Sequence, residues 1–303
     1  MTTTLYIVGN GFDLHHGIPS AYRDFGTFLK ANDPKIYRFI EEYLGFDDGF
    51  WSDFEARLAD FDAATLVDRA SDFLVPYSAD DWSDSSHHDY QYEIGQVVEA
   101  LSEGLKIQFA RWIRQLEIPD PNTIPSKLLR LNTRATFLNF NYTRSLTTLY
   151  GVWQSQVHHI HGSAADAEND LILGHGWNPK DVGSSNSNDG LDLEETESRV
   201  IEGNRLIDQY FERTFKPTEL VITANQSFFE GLQETQQIFV MGHSLKDIDL
   251  SYFKEIVRHI AGGNVRWKIS YHRDDDLPKL RRQLGKLDGV PGHLVEFARL
   301  VDF

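Results

Sequence analysis

Leu5-Tyr6-Ile7-Val8-Gly9-Asn10-Gly11-Phe12-Asp13, followed by Gly17-Ile18-Pro19, decides how this chain is read. Four apolar residues in a row predict a buried strand. The Gly-x-Gly turn at its end lets the backbone bend sharply with no Cβ in the way. Such a turn directs successive backbone N–H groups into the space beyond the strand, where a pyrophosphate can sit. Gly-x-Gly alone is weak evidence, whereas the full spacing Gly-x-Gly-x5-Gly-Ile-Pro is much more specific.

Beyond this stretch, residues 20 to about 130 read as helical. Ser52 is placed to cap a helix through Phe54, with Glu55 three residues on. Ile94, Val97, Val98, Leu101, Leu105, Phe109, Trp112 and Leu116 recur at helical spacing and predict one long amphipathic helix. Pro119, Pro121 and Pro125 break the chain, and core strands are expected at 136–140, 157–160, 237–241 and 265–271. Phe253, Ile256, Val257 and Ile260 give a helix between the last two its apolar face. Residues 181–198 are polar and predict a mobile loop. Strands alternating with helices point to an α/β fold with a Rossmann-like parallel sheet. The expected organisation is a single domain, 1–303, with a core of 1–19 plus 132–303 and a large helical insertion at 20–131.

Composition narrows the function classes. With 303 residues, 41% of them hydrophobic and 13% aromatic, the chain can bury a sizeable core. A net charge of −17 argues against broad electrostatic binding to nucleic acid or an anionic membrane, so neither partner is expected. One small anionic ligand stays open, because a site can be locally positive. No stretch approaches the roughly 18 apolar residues of a transmembrane helix. The first strand begins almost at once, so no secretory signal and a cytoplasmic location are expected. The absence of cysteine removes disulfides, thiol chemistry and cysteine-ligated zinc.

Four polar clusters follow predicted strands: Gly9 to Asp13, Asn141-Tyr142-Thr143, His161-Gly162-Ser163 and Gly242-His243-Ser244-Leu245. In an open parallel sheet the strand carboxyl ends share one edge, where ligands bind. Each cluster also has a plain structural reading. Asn141 can cap the helix after it, Ser244 with Asp247 can form a capping box, and His161 can be a turn residue. Trp51, Phe54, Trp112 and Phe253 read as core because they recur at helical spacing. Glu55 and Asp247 read as helix-end residues. His158 and His159 adjoin on a strand and must face opposite sides, and His87-His88 lies in a polar stretch.

The four clusters resemble, in order, the motifs of sirtuins. The first is similar to Gly-Ala-Gly-x-Ser-x3-Gly-Ile-Pro-Asp-Phe-Arg. Asn139 to Thr143 resembles Thr-Gln-Asn-Ile-Asp, Ile160 to Ser163 resembles Leu-His-Gly-Ser, and Gly242 to Leu245 resembles Gly-Thr-Ser-Leu. From the Gly-Asn-Gly-Phe-Asp start to Ile248-Asp249 and Tyr252-Phe253, most of the chain resembles the bacterial abortive-infection H (AbiH) family. The sirtuin likeness implies NAD as substrate. Gly9, Gly11 and Gly17 would shape the loop under the pyrophosphate, and Asn141 would position ribose and water. His161 would act as base, and Gly242 and Ser244 would line the far part of the site. Asn10, Phe12, Asp13, Gly162, Ser163 and His243 complete the expected cofactor-binding set. The implied function is an antiphage effector that hydrolyses the nicotinamide–ribose bond, an NADase. No metal is expected.

Departures from the sirtuin pattern bear on the chemistry. Ser20-Ala21-Tyr22 replaces Asp-Phe-Arg, Thr143 replaces the motif's final Asp, and Asp13 displaces its Ser. Without cysteines there is no zinc module, so acyl-lysine chemistry is not expected. Two other readings stay open. One is a non-catalytic nucleotide-binding sensor or assembly subunit of a defence system. The other is a metal-dependent phosphoesterase, whose Asp-x-His and Gly-His resemble Asp13-Leu14-His15 and Gly242-His243 although its Gly-Asn-His segment is missing. A homo-oligomer or a defence-system partner protein also stays open, and no residue separates NAD from NADP or an ADP-ribose derivative.

Overall fold

Six strands assemble one sheet, with the most buried ones at its centre and partly exposed ones at its edges. The computed structural model describes residues 4–74, 88–165, 171–181, 183–186, 197–260 and 264–303. The strands are β1 (Thr4–Val8), β2 (Thr136–Asn139), β3 (Val157–His159), β4 (Gln237–Met241), β5 (Arg266–Tyr271) and β6 (Val295–Arg299). All pair in parallel, in the order β3-β2-β1-β4-β5-β6. This is the strand order of the Rossmann fold, and the order reverses between β1 and β4.

β1 is central because it is apolar on both faces, as a parallel strand covered on both sides must be. Ile7 stands in register with Leu138 of β2 and Val240 of β4. Leu5 and Ile7 join a core with Leu138, Phe140, Ile238, Val240, Phe253 and Trp267. Tyr6 and Val8 join the opposite one with Phe12, Phe137, Leu146 and Met241. That alternation is the two-residue period of a strand. Tyr6 stacks between Phe137 and Phe239, at 4.9 and 5.0 Å, which ties the three central strands on that face.

The chain forms two compact units. The sheet unit comprises Met1–Asp24, Ala110–Ile172 and Pro217–Phe303, and the helical unit comprises Phe25–Phe109 and Leu173–Lys216. The first stretch of the helical unit lies inside the expected insertion at 20–131, while the second falls in the part that sequence reading places with the core. Within it, Phe25 meets Phe54 and Phe109 edge-on, and the Tyr210 hydroxyl donates to the Leu58 carbonyl.

Several local expectations change. The long amphipathic helix exists as Asp89–Glu99 and Leu105–Gln115, joined by a π turn, Ala100–Gly104. Ser52 is not a cap: it ends a short 3-10 turn, and the helix after it is only Phe54–Arg57. Glu55 pairs instead with the buried Lys216 at 3.2 Å. Most of the loop expected at 181–198, and His87, lie outside the described residues. Helix Ser198–Thr214 and strand β6 were not anticipated. Among the described residues no helix is long and apolar enough to cross a membrane.

Candidate functional site

The turn after β1 runs straight into helix α1 (Asn10–His15). Three of its N–H groups are already bonded within the protein. Gly9 N–H donates to the Met241 carbonyl at 3.0 Å, Gly11 N–H to Gly242 at 2.8 Å, and Phe12 N–H to Gly9 at 2.9 Å. A Cβ on Gly9 would meet the Cα of His243 at 2.8 Å, and one on Gly11 the Cα of Gly242 at 2.8 Å. The glycines are therefore where the loops after β1 and β4 press together, a role the sequence reading had given to a pyrophosphate.

Gly17 likewise has a local purpose. With φ +83° it ends α1: Gly17 N–H donates to Leu14 and Ile18 N–H to Asp13, both at 3.0 Å. Those two bonds form a Schellman helix stop, with buried Ile18 beyond it. The Asn10 amide donates to the Ser20 carbonyl, and the Ser20 hydroxyl donates back to the Asn10 side-chain oxygen. Phe12 is wholly buried in the core, against His16 and Tyr150.

Asp13 is wholly buried too, and both its oxygens are taken. Thr143 Oγ1 donates to Oδ2 and Ser145 Oγ to Oδ1, each at 2.6 Å. Burial pushes its pKa up to about 6, while hydrogen bonds from Ser145, Thr143 and Asn141 pull it down. Asn141 donates its amide to the Gly9 carbonyl at 3.1 Å. Asn141, Thr143 and Ser145 thus clamp α1 to the segment after β2. The helix there, Ser145–Tyr150, has no side-chain cap, so the capping reading of Asn141 does not hold.

His161 and His243 form a second cluster with different neighbours. Phe140 meets both edge-on, with ring centroids 5.1 Å from His161 and 4.4 Å from His243. Tyr252 lies 5.4 Å from His161. Between the two imidazoles sits Asp249, which sequence reasoning had not assigned to the site. His161 Nε2 is 3.7 Å from its Oδ1, and His243 Nε2 is 3.4 Å from its Oδ2. Leu245 donates its N–H to His243 Nδ1 at 3.0 Å. An accepting Nδ1 carries no proton, so the ring proton is on Nε2, facing Asp249. Leu245 makes this bond from φ +53°, an uncommon conformation for a branched side chain.

Among the remaining expected residues, Gly162 turns at φ +84° and Ser163 is buried, its Oγ accepting from Ala165 N–H at 3.4 Å. Ser244 is exposed and forms no capping box, and Asp247 pairs with Lys286 at 2.5 Å. His158 stacks on Phe228 while His159 faces Asn139 and the Asn141 carbonyl, on opposite sides as the strand requires. His15 Nε2 meets the Lys127 carbonyl at 2.9 Å, and burial lowers its pKa. Among the described residues no group of three or more His, Asp or Glu side chains could hold a metal ion.

A signal for Asp249 was present in the sequence: it stands eight residues after the end of β4, in the segment Asp247-Ile248-Asp249 that leads into helix Leu250–His259. A carboxylate before a helix reads as a cap. In the structure it makes no capping bond and turns to the histidines instead. A carboxylate held by two imidazoles, at the carboxyl edge where strand order reverses, can handle protons. A family model described as Bacteriophage abortive infection AbiH matches residues 5–271. No curated protein matches the chain.

Proposed function

The chain belongs to the AbiH family of bacteriophage abortive infection, a role in antiphage defence, and on that premise we propose that its sheet edge hydrolyses the nicotinamide–ribose bond of NAD. The observation that carries this reading is the group formed by His161, Asp249 and His243 at the carboxyl ends of β3 and β4. It stands beside the point where strand order reverses, the place where open α/β sheets bind their ligands. The order of the four sirtuin-like motifs, with the glycine spacing of the first, supports NAD as the substrate.

The chemistry suits such a group. Nicotinamide departs from a cation as a neutral ring, so positioning and one proton acceptor suffice, the acceptor contributing roughly 10²–10⁴-fold. The clamp of Asn141 on Gly9 bears on the same edge by holding the loop after β1. The glycine turns act by keeping that loop and the one after β4 in contact rather than by cradling phosphate.

Purified protein incubated with NAD is expected to release nicotinamide and ADP-ribose, at a rate unchanged by a metal chelator. Intact NAD bound tightly by the protein would favour the sensor reading. Activity abolished by chelator and restored by manganese would favour the phosphoesterase.

A further inference from the structure

We propose that Asp249, not a histidine, is the general base of the site, with His161 and His243 as the residues that aim it; this rests on the NAD-hydrolysis reading above. The three side chains differ in what they can offer a water molecule. His243 accepts from Leu245 at Nδ1 and turns its protonated Nε2 toward Asp249, so neither ring nitrogen has a lone pair for an incoming proton. His161 directs Nε2 at the same carboxylate from the other side and is 3% exposed. The Asp249 side chain is 15% exposed, the most open of the three.

Asp249 ends the turn Asp247–Asp249 that runs straight into helix Leu250–His259, its side chain makes no capping bond, and its two oxygens face the two imidazoles. A wholly buried leucine, Leu245, at φ +53° is backbone strain, and the bond that this conformation makes is the one fixing the His243 tautomer. Distances of 3.4 and 3.7 Å are longer than hydrogen bonds, and such contacts commonly tighten when substrate binds.

The reaction balances without a further reagent. Water oxygen bonds to C1′ of the nicotinamide ribose as the C1′–N bond breaks. The bonding pair moves to the pyridinium nitrogen, which leaves as neutral nicotinamide. Asp249 takes the water proton and passes it to solvent, so NAD and water yield nicotinamide, ADP-ribose and one proton.

The test uses full-length purified protein and two variants. Asp249→Asn keeps the shape and is expected to lower kcat for nicotinamide release by about 10²–10⁴-fold with KM and melting temperature little changed. Asp249→Gly should be comparably slow and should regain turnover when formate is added, because a free carboxylate can stand where the side chain stood. Wild-type kcat in Asp249→Asn would overturn the proposal. So would a slow Asp249→Gly that formate does not restore, since a purely structural carboxylate gives that result. A wild-type protein that releases no nicotinamide overturns the NAD reading itself and this assignment with it, an outcome distinct from an active enzyme indifferent to Asp249.

Discussion

Gly11 and Gly242 touch backbone to backbone: the Gly11 N–H donates to the Gly242 carbonyl at 2.8 Å, and a Cβ on Gly242 would lie 2.1 Å from the Phe12 nitrogen. Gly242 also holds φ +67°. This contact fastens the loops after β1 and β4 at the reversal of strand order. Gly242→Ala and Gly11→Ala should therefore lower the melting temperature of the ligand-free protein, by strain and overpacking of roughly 1–3 kcal/mol each. Melting curves without NAD check this. Wild-type curves accompanied by lost NAD binding would return these glycines to the ligand.

Gly17 should behave as a helix stop. Its added Cβ would meet only the flexible Lys127 amine, at 3.1 Å, so the cost lies in the backbone conformation. Gly17→Ala is expected to cost about 1 kcal/mol and Gly17→Asn less, because asparagine tolerates the left-handed region. Denaturant titration gives both values. Equal effects of the two substitutions would count against the helix-stop role.

Asp13 makes stability depend on pH in a predictable direction. Burial raises its folded pKa from 3.8 to about 6, so between those values the folded state holds more protons than the unfolded chain. Its contribution is thus fully present below 3.8 and is lost as pH rises through about 6. His16, lowered by burial to about 4, acts oppositely across an overlapping range. Comparison with Asp13→Asn isolates the aspartate, since both proteins retain His16. Wild-type stability relative to the variant should fall by on the order of 3 kcal/mol between pH 4 and pH 7. A flat difference would mean that Asp13 titrates alike folded and unfolded.

The strands were legible because a parallel strand buried on both faces is a plain apolar run, and β1 and β4 are such runs. β6 was missed for the opposite reason. At the edge of the sheet, Val295 and Phe297 are interspersed with the charged Glu296 and followed by Arg299, and none of its five residues is fully buried. Helix Ser198–Thr214 buries Arg199, Gly203, Ile207, Tyr210 and Thr214, five positions at helical spacing of which only two look hydrophobic. The glycine spacing correctly marked places without room for a Cβ. It could not say that Gly242, rather than a phosphate, fills the space. Asp249 was hidden because a carboxylate before a helix reads as a cap, and only the structure shows its side chain facing His161 and His243.

His161 and Asp249 should fail as a unit, and Asn141 apart from them. His161 is packed against Phe140, Tyr142 and Tyr252, so His161→Gln is a gentler probe than alanine. Losing its hold on a carboxylate, worth about 1.5–3 kcal/mol in the transition state, should lower kcat for nicotinamide release by roughly ten- to a hundredfold. Once Asp249 is already Asn, there is no charge left to aim, so the His161→Gln/Asp249→Asn double variant should be little slower than Asp249→Asn alone. Asn141 bonds the Gly9 carbonyl and bears on Asp13 instead. Asn141→Ala should cost about 1 kcal/mol of stability and combine additively with Asp249→Asn in kcat. Four rates and four melting curves complete each cycle. Additive losses between His161 and Asp249 would show that the imidazole does not act through the carboxylate, and the geometry around Asp249 would then need another explanation.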